Sequence, residues 1–193
     1  MDYIPMTEYD ASPDEVRRRF DEQVEAHGRI TNMKKTMLQD PLTFDVYMEW
    51  YPLYDEVIAI VGERAASLFS YAISQGDKCL ICSLFFAKIL RDSGDDPADP
   101  HLSDVEKMLM EFGQAIACDP HHIAPELYAA MRKRFSNREL VTLIGFAGQM
   151  YATNLFNTVA KVPLDDVLAP YLEYAPRAED GSHAGDGPRA DDA

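Results

Sequence analysis

Apolar positions along this chain recur every three or four residues almost from end to end, and nowhere do they alternate singly. That period sets one apolar stripe per helix and predicts an all-α fold without strands. Ser12-Pro13-Asp14-Glu15 reads as a helix start, with a capping serine, proline at the first helical position and acids in the first turn. Val16, Phe20 and Val24 then share a face, and Gly28 stops the segment. The connector Gly28-Arg29-Ile30-Thr31-Asn32 leads to a short helix carrying Met33, Met37 and Leu38. Asp40-Pro41 restarts the chain, and Leu42, Val46, Met48, Trp50 and Tyr51 supply apolar surface until Pro52. Residues 53–61 stay apolar, and Gly62 opens a helix of small and apolar residues from Ala65 to Ile73 that allows close packing.

The break Gly76-Asp77 separates that helix from Lys78-Cys79-Leu80-Ile81-Cys82. Asp77 is a good N-cap, so a new helix is expected to begin at Lys78, with both sulfurs in its first turns, and to fade by Arg91. Ser93 to Pro100, with Gly94, Pro97 and three aspartates, is a loop dividing the chain into halves. Ser103 and Glu106 form a capping box ahead of the stripe Val105, Met108, Leu109, Phe112 and Ile116, which ends at Cys118-Asp119-Pro120. A shorter helix covers about 125–133. Ser136 and Glu139 form a second box, opening the longest helix through Leu140, Leu143, Ile144, Ala147, Tyr151, Leu155 and Val159 to the stop at Pro163. Residues 164–175 add a turn or short helix. From Pro176 onward there is almost nothing to bury. The expected organisation is an N-terminal helical extension (1–27), a helical domain (28–175) and a disordered acidic tail (176–193).

Composition narrows the function. At 193 residues, 47% hydrophobic and 26% charged, the chain can bury one sizeable core. A net charge of −15 argues against nucleic acid and against an anionic membrane surface as partners. No apolar run reaches the roughly 20 residues of a membrane span, and the first residues lack a secretory leader, so the expected location is cytoplasmic. Three cysteines do not make a disulfide scaffold. There is no Walker or dinucleotide glycine motif, no H-E-x-x-H and no G-x-S-x-G.

Chemistry therefore concentrates on Cys79 and Cys82. Spacing i, i+3 puts both sulfurs on one helix face, and a helix N-terminus favours a thiolate there. Two other readings fit the same residues. The pair could be inert core thiols, or half of a zinc site completed by Cys118 and His121. Around them, His121-His122 reads as an exposed turn, and Glu63 and Tyr71 precede the cysteine helix. Asn154 and Asn157 interrupt an apolar helix and must be hydrogen-bonded if buried; they read as packing or subunit contacts.

Three stretches, in this order, resemble the AhpD-like, or carboxymuconolactone decarboxylase, family over roughly residues 28–166. The first is Gly28-Arg29-Ile30-Thr31-Asn32-Met33. The second is the small-residue helix into Gly76, then Cys79-Leu80-Ile81-Cys82 and Ile89-Leu90-Arg91-Asp92-Ser93-Gly94. The third runs from Phe112 to Pro120, then from Phe135-Ser136-Asn137-Arg138-Glu139 to Asn154-Leu155-Phe156-Asn157-Thr158-Val159-Ala160-Lys161-Val162-Pro163. The resemblance implies an all-α, AhpD-like helical bundle that assembles as a homo-oligomer, a trimer or hexamer. It also implies a thiol oxidoreductase that reduces peroxides or disulfides with no metal or organic cofactor, recharged by an external thiol reductant such as a lipoylated or thioredoxin-like protein. In that family the second cysteine attacks the peroxide, the first resolves it into a disulfide, and a Glu and a His relay the proton. Here the His position is Phe86, the Glu register falls near Ala65 or Ser67, and Asp77-Lys78 separates Gly76 from Cys79. The family's decarboxylase branch, which acts on lactone acids without the cysteines, and a non-catalytic oligomeric binding protein are the alternatives.

Overall fold

The computed structural model describes residues 4–176, so the tail expected over 176–193 lies, Pro176 apart, outside the described residues. Among these residues the chain is all helical, with no strand. The helices are α1 (Asp14–His27), α2 (Asn32–Met37), α3 (Pro41–Met48), α4 (Trp50–Val61), α5 (Glu63–Gly76), α6 (Leu80–Asp92), α7 (Asp104–Cys118), α8 (Pro125–Arg134) and α9 (Asn137–Val159). A 3-10 helix, Asp166–Tyr174, follows.

The small-residue helix α5 is the centre of the bundle, and every residue from Ala65 to Ser74 is buried. Helices α4, α6, α7 and α9 pack around it. A helix surrounded by others needs apolar or small residues on all sides, and α5 has them. Its hydroxyls satisfy themselves within the helix: Ser70 donates to the Ala66 carbonyl at 2.8 Å and Ser74 to that of Ser70 at 2.9 Å. The closest approach is to α7. A Cβ on Gly113 would lie 2.9 Å from Phe69 Cδ2 and 3.1 Å from Ile73 Cγ1, and one on Gly76 would lie 2.9 Å from Ala117 Cβ. Phe69, Leu68, Ile73, Leu84, Phe86, Leu109, Phe112 and Phe146 form the main core. A second, smaller cluster joins α1, α2 and α3 through Val16, Phe20, Met37, Leu38 and Phe44. Arg64, at the start of α5, holds the loop after α6: its guanidinium donates to Asp95 at 2.8 and 3.0 Å and also meets Glu106.

Both expected capping boxes form, Ser103 with Glu106 and Ser136 with Glu139, and Asp40 accepts from the Thr43 N–H at 3.0 Å. Three boundaries differ from expectation. Ser12 turns back to donate to the Glu8 carbonyl at 2.6 Å, leaving Pro13 in the N-cap position of α1. Pro52 does not divide its segment. The break lies at Glu49, and Pro52 occupies the first turn of α4, where its missing N–H would have no partner in any case. Asp77 is not an N-cap but closes α5, its N–H donating to the Ile73 carbonyl at 3.0 Å, and α6 begins later, at Leu80. No single helix among the described residues is long and apolar enough to cross a membrane. Helices α3, α4 and α5 pass such a test only when joined across a 119° bend, and α5 is the buried core.

Candidate functional site: a cysteine pair beside an aromatic cavity

The turn between α5 and α6 places the cysteines. Lys78 adopts the left-handed conformation, φ 56°, that glycine usually takes at a helix end. Its N–H donates to the Gln75 carbonyl at 3.2 Å, and the Cys79 N–H donates to that of Ser74 at 3.0 Å. Those two bonds make the Schellman closure that ends α5. Cys79 thereby leaves one helix and enters the next as the N-cap of α6, with φ −78° and ψ 108°. Cys82 occupies the third helical position, whose N–H an N-cap side chain faces.

The two thiols share a proton unequally. The pKa of Cys79 is lowered, chiefly by hydrogen bonding from the Cys82 side chain and with help from the Cys82 N–H and Thr158, against burial and the Asp77 charge. No capping bond of normal geometry closes on the sulfur; the effect is that of donors gathered near a diffuse acceptor. The Cys82 thiol is pushed well above its ordinary range, first by the same bond to Cys79 and then by burial. Such a pair loses its first proton as a unit. The direction of both shifts favours charge on Cys79 over Cys82.

Helix α9 supplies the other side. Asn157 Nδ2 donates to Cys82 Sγ at 3.3 Å in a fully buried contact, which favours charge on that sulfur. The Asn157 Oδ1, both polar atoms of the Asn154 side chain and Ser83 Oγ are buried without a protein partner among the described residues. Burial raises the pKa of Asp77, and the Asn154 amide opposes that from nearby without closing a normal hydrogen bond. The sequence singled out Asn154 and Asn157 as packing residues; the fold instead puts one against Cys82 and the other beside Asp77.

A cavity of about 100 Å³ opens on Cys82. Trp50, Tyr47, Tyr51, Phe85, Phe86 and Met150 make its apolar wall, while Asn157, Thr153, Arg29, Lys34 and Asp165 contribute polar groups. Cys79 does not reach this wall and is 1% exposed. The Trp50 indole is fixed by donation to Met150 Sδ at 3.1 Å and by stacking on Tyr54, centroids 4.5 Å apart. Phe86 lies in the same aromatic cluster, 6.4 Å from Tyr54 and 6.5 Å from Trp50. Ser67 Oγ is 3.2 Å from the Tyr54 hydroxyl. Phe86, at the expected His position, and Ser67, one of the two residues near the expected Glu register, both neighbour Tyr54.

The other residues singled out from the sequence lie elsewhere. Glu63 is in the exposed first turn of α5, and Tyr71 is raised in pKa by burial beside Gln75, Tyr174 and Asp96. Cys118 is exposed, its sulfur 3.7 Å from the Gly76 carbonyl. His122 Nδ1 meets Asp119 Oδ2 at 2.7 Å in the exposed turn. Among the described residues no three His, Cys, Asp or Glu side chains gather as metal ligands, so the grouping of Cys79, Cys82, Cys118 and His121 does not form. Arg29 and Lys34 were missed as site residues. The only signal was the pair Lys34-Lys35 between Met33 and Met37 in a short helix.

No protein-family model and no curated protein matches this sequence. Among the solved structures that share its architecture are two peroxidase-related proteins. One is an uncharacterized peroxidase-related protein from Silicibacter sp. TM1040, with a TM-score of 0.69 and 16% identity, covering 88% of this chain and 93% of that one. The other is an alkylhydroperoxidase AhpD core, an uncharacterized peroxidase-related protein from Ralstonia eutropha JMP134, with a TM-score of 0.69 and 16% identity, covering 91% of this chain and 97% of that one. With its all-helical bundle and a match over nearly the whole chain, this protein has the AhpD-like helical fold.

Proposed function

We propose that this protein is a thiol-dependent oxidoreductase of the alkylhydroperoxidase type, reducing a peroxide or disulfide through Cys79 and Cys82. The observation that carries the reading is the placement of the pair: Cys82 lines the cavity and accepts from Asn157 at 3.3 Å, and Cys79 lies behind it at the start of the same helix. Cys79 thiolate takes the Cys82 proton as Cys82 sulfur attacks the outer peroxide oxygen. The O–O bond breaks, Cys82 becomes a sulfenic acid, and the alkoxide leaves with the proton from Cys79 as an alcohol. Cys79 thiolate then attacks the Cys82 sulfur, expelling hydroxide, which takes a proton from solvent. One peroxide and two thiols give one alcohol, one water and one disulfide. Cys79 thus takes over the work of the missing relay, and Asn157 stabilises Cys82 as its charge develops. An external dithiol protein restores the pair by exchange, itself leaving as a disulfide.

A peroxidase assay coupled to a small dithiol tests the roles. Cys82→Ser loses turnover. Cys79→Ser reacts once, slowly, and stops at a sulfenic acid that a dimedone probe labels. Equal full activity in both variants refutes the assignment, and no peroxidase activity in the wild type leaves the decarboxylase-like reading, which does not use the cysteines, and the non-catalytic one. Self-association belongs to the same proposal. Val141, Ile144, Tyr151, Leu155 and Val159 form one exposed apolar stripe on α9, with Val141 71% and Val159 66% exposed, and a second copy of the chain would cover it.

A further inference from the structure

We propose that the cavity selects an amphipathic anion, with a carboxylate held by Arg29, Lys34 and Tyr51 and an alkyl chain lying along Trp50, Phe85 and Met150 towards Cys82. Resting on the oxidoreductase reading, this makes the substrate class the hydroperoxides of carboxylic acids. Lys34 is the key observation. It is 5% exposed, and its ammonium donates to the Tyr51 hydroxyl at 2.6 Å and to Gln23, both uncharged. An ammonium has three N–H donors, and no carboxylate of the described residues pairs with this one. Buried lysines are ordinarily paired.

Arg29, half-buried on the same wall, makes no hydrogen bond or ion pair with the described residues, and its charge acts on Lys34. In a chain of net charge −15, two cations with no acid partner share one cavity. The acid on that wall, Asp165, is engaged by the Asn32 N–H at 3.1 Å. His27 stacks on Tyr51 at 4.3 Å, and burial and Lys34 hold its pKa below the usual value. Burial also brings Lys34 down to about 8, the strain of a cation lacking its counter-ion. A carboxylate would supply that counter-ion while its tail displaces water from the aromatic wall.

The chain's only tryptophan is in the cavity, so its fluorescence reports binding directly. Reduced wild-type protein is titrated with octanoate and with octanol, which share a tail and differ in charge. Octanoate is expected to bind roughly tenfold tighter or more. Arg29→Gln and Lys34→Met should each erase that preference, bringing the ratio of octanoate to octanol affinity to about one. Equal affinity for acid and alcohol in the wild type overturns the proposal without recourse to variants, as does a preference that survives both substitutions. No oxidation occurs in this titration. An anion preference in a protein whose thiols ignore hydroperoxides would uphold the clamp and sink the oxidoreductase reading; reactive thiols with no anion preference would do the reverse.

Discussion

Replacing Asn157 with leucine separates chemistry from folding. The Asn157 amide donates to Cys82 Sγ at 3.3 Å, out of water. A hydrogen bond to a charged group contributes about 1.5–3 kcal/mol, and a diffuse sulfur acceptor argues for the lower end. Losing about 1.5 kcal/mol of thiolate stabilisation moves the Cys82 pKa up by roughly one unit and cuts the reactive fraction about tenfold. Folding should respond differently. Asn157 Oδ1 is buried without a protein partner, and such a group costs about 1–3 kcal/mol. Leucine removes that penalty along with the donor, so stability should stay within about 1 kcal/mol of wild type. The bond acts on Cys82 and not on Cys79, so the inflection in rate against pH, set by the first proton lost from the pair, should stay near its wild-type position while the rate is lower on both sides of it. Stopped-flow fluorescence of Trp50 during one turnover with an alkyl hydroperoxide gives the rate, and urea unfolding gives the stability. An unchanged rate, or a slower rate accompanied by several kcal/mol of lost stability, refutes the reasoning.

Gly113→Ala should destabilise the α5–α7 crossing by about 1–3 kcal/mol in urea unfolding, since the added Cβ meets the Phe69 ring at 2.9 Å. Phe86→Ala empties the middle of the aromatic cluster and should cost about 3–5 kcal/mol. Arg64→Met breaks the clamp on Asp95 and Glu106, whose pKa values are lowered in the folded state by the guanidinium and, for Glu106, by Ser103 against the cost of burial. Carboxylates with depressed folded pKa values stabilise above their unfolded pKa, about 4, and lose that contribution as pH falls through the folded values. The stability gap between this variant and wild type should therefore be full at pH 7 and close in acid. Val141→Asp with Leu155→Asp should turn an oligomer into a 21.8 kDa monomer by light scattering; a wild type already monomeric would remove the self-association proposal.

The all-helical fold was legible because α1, α7 and α9 carry clear periodicity and the Ser103 and Ser136 boxes announce their starts. The errors arose where one residue can serve two geometries. Asp77 has the side chain of an N-cap, but a lysine accepting a left-handed backbone at position 78 closed α5 first and passed the cap to Cys79. Tertiary closure overrode local preference, and with it moved the Cys79 sulfur. The apolar residues of α9 run together in the sequence from Leu140 to Val159. In the fold, Leu140, Leu143 and Ala147 are buried while Ile144, Tyr151, Leu155 and Val159 are exposed, a distinction that periodicity cannot make when both faces are apolar. The cysteines could be found by spacing. The cavity could not, because Lys34, Trp50, Cys82 and Asn157 come from four helices and meet only when the bundle closes.

The central claim is that Cys79 and Cys82 react as a pair without the usual relay. The most direct measurement treats reduced protein with one equivalent of an alkyl hydroperoxide, alkylates under denaturing conditions and maps the thiols by mass. Rapid, paired loss of Cys79 and Cys82, with the exposed Cys118 still alkylated, is the predicted result. If both remain reduced and are alkylated like free cysteine, the proposed chemistry is wrong.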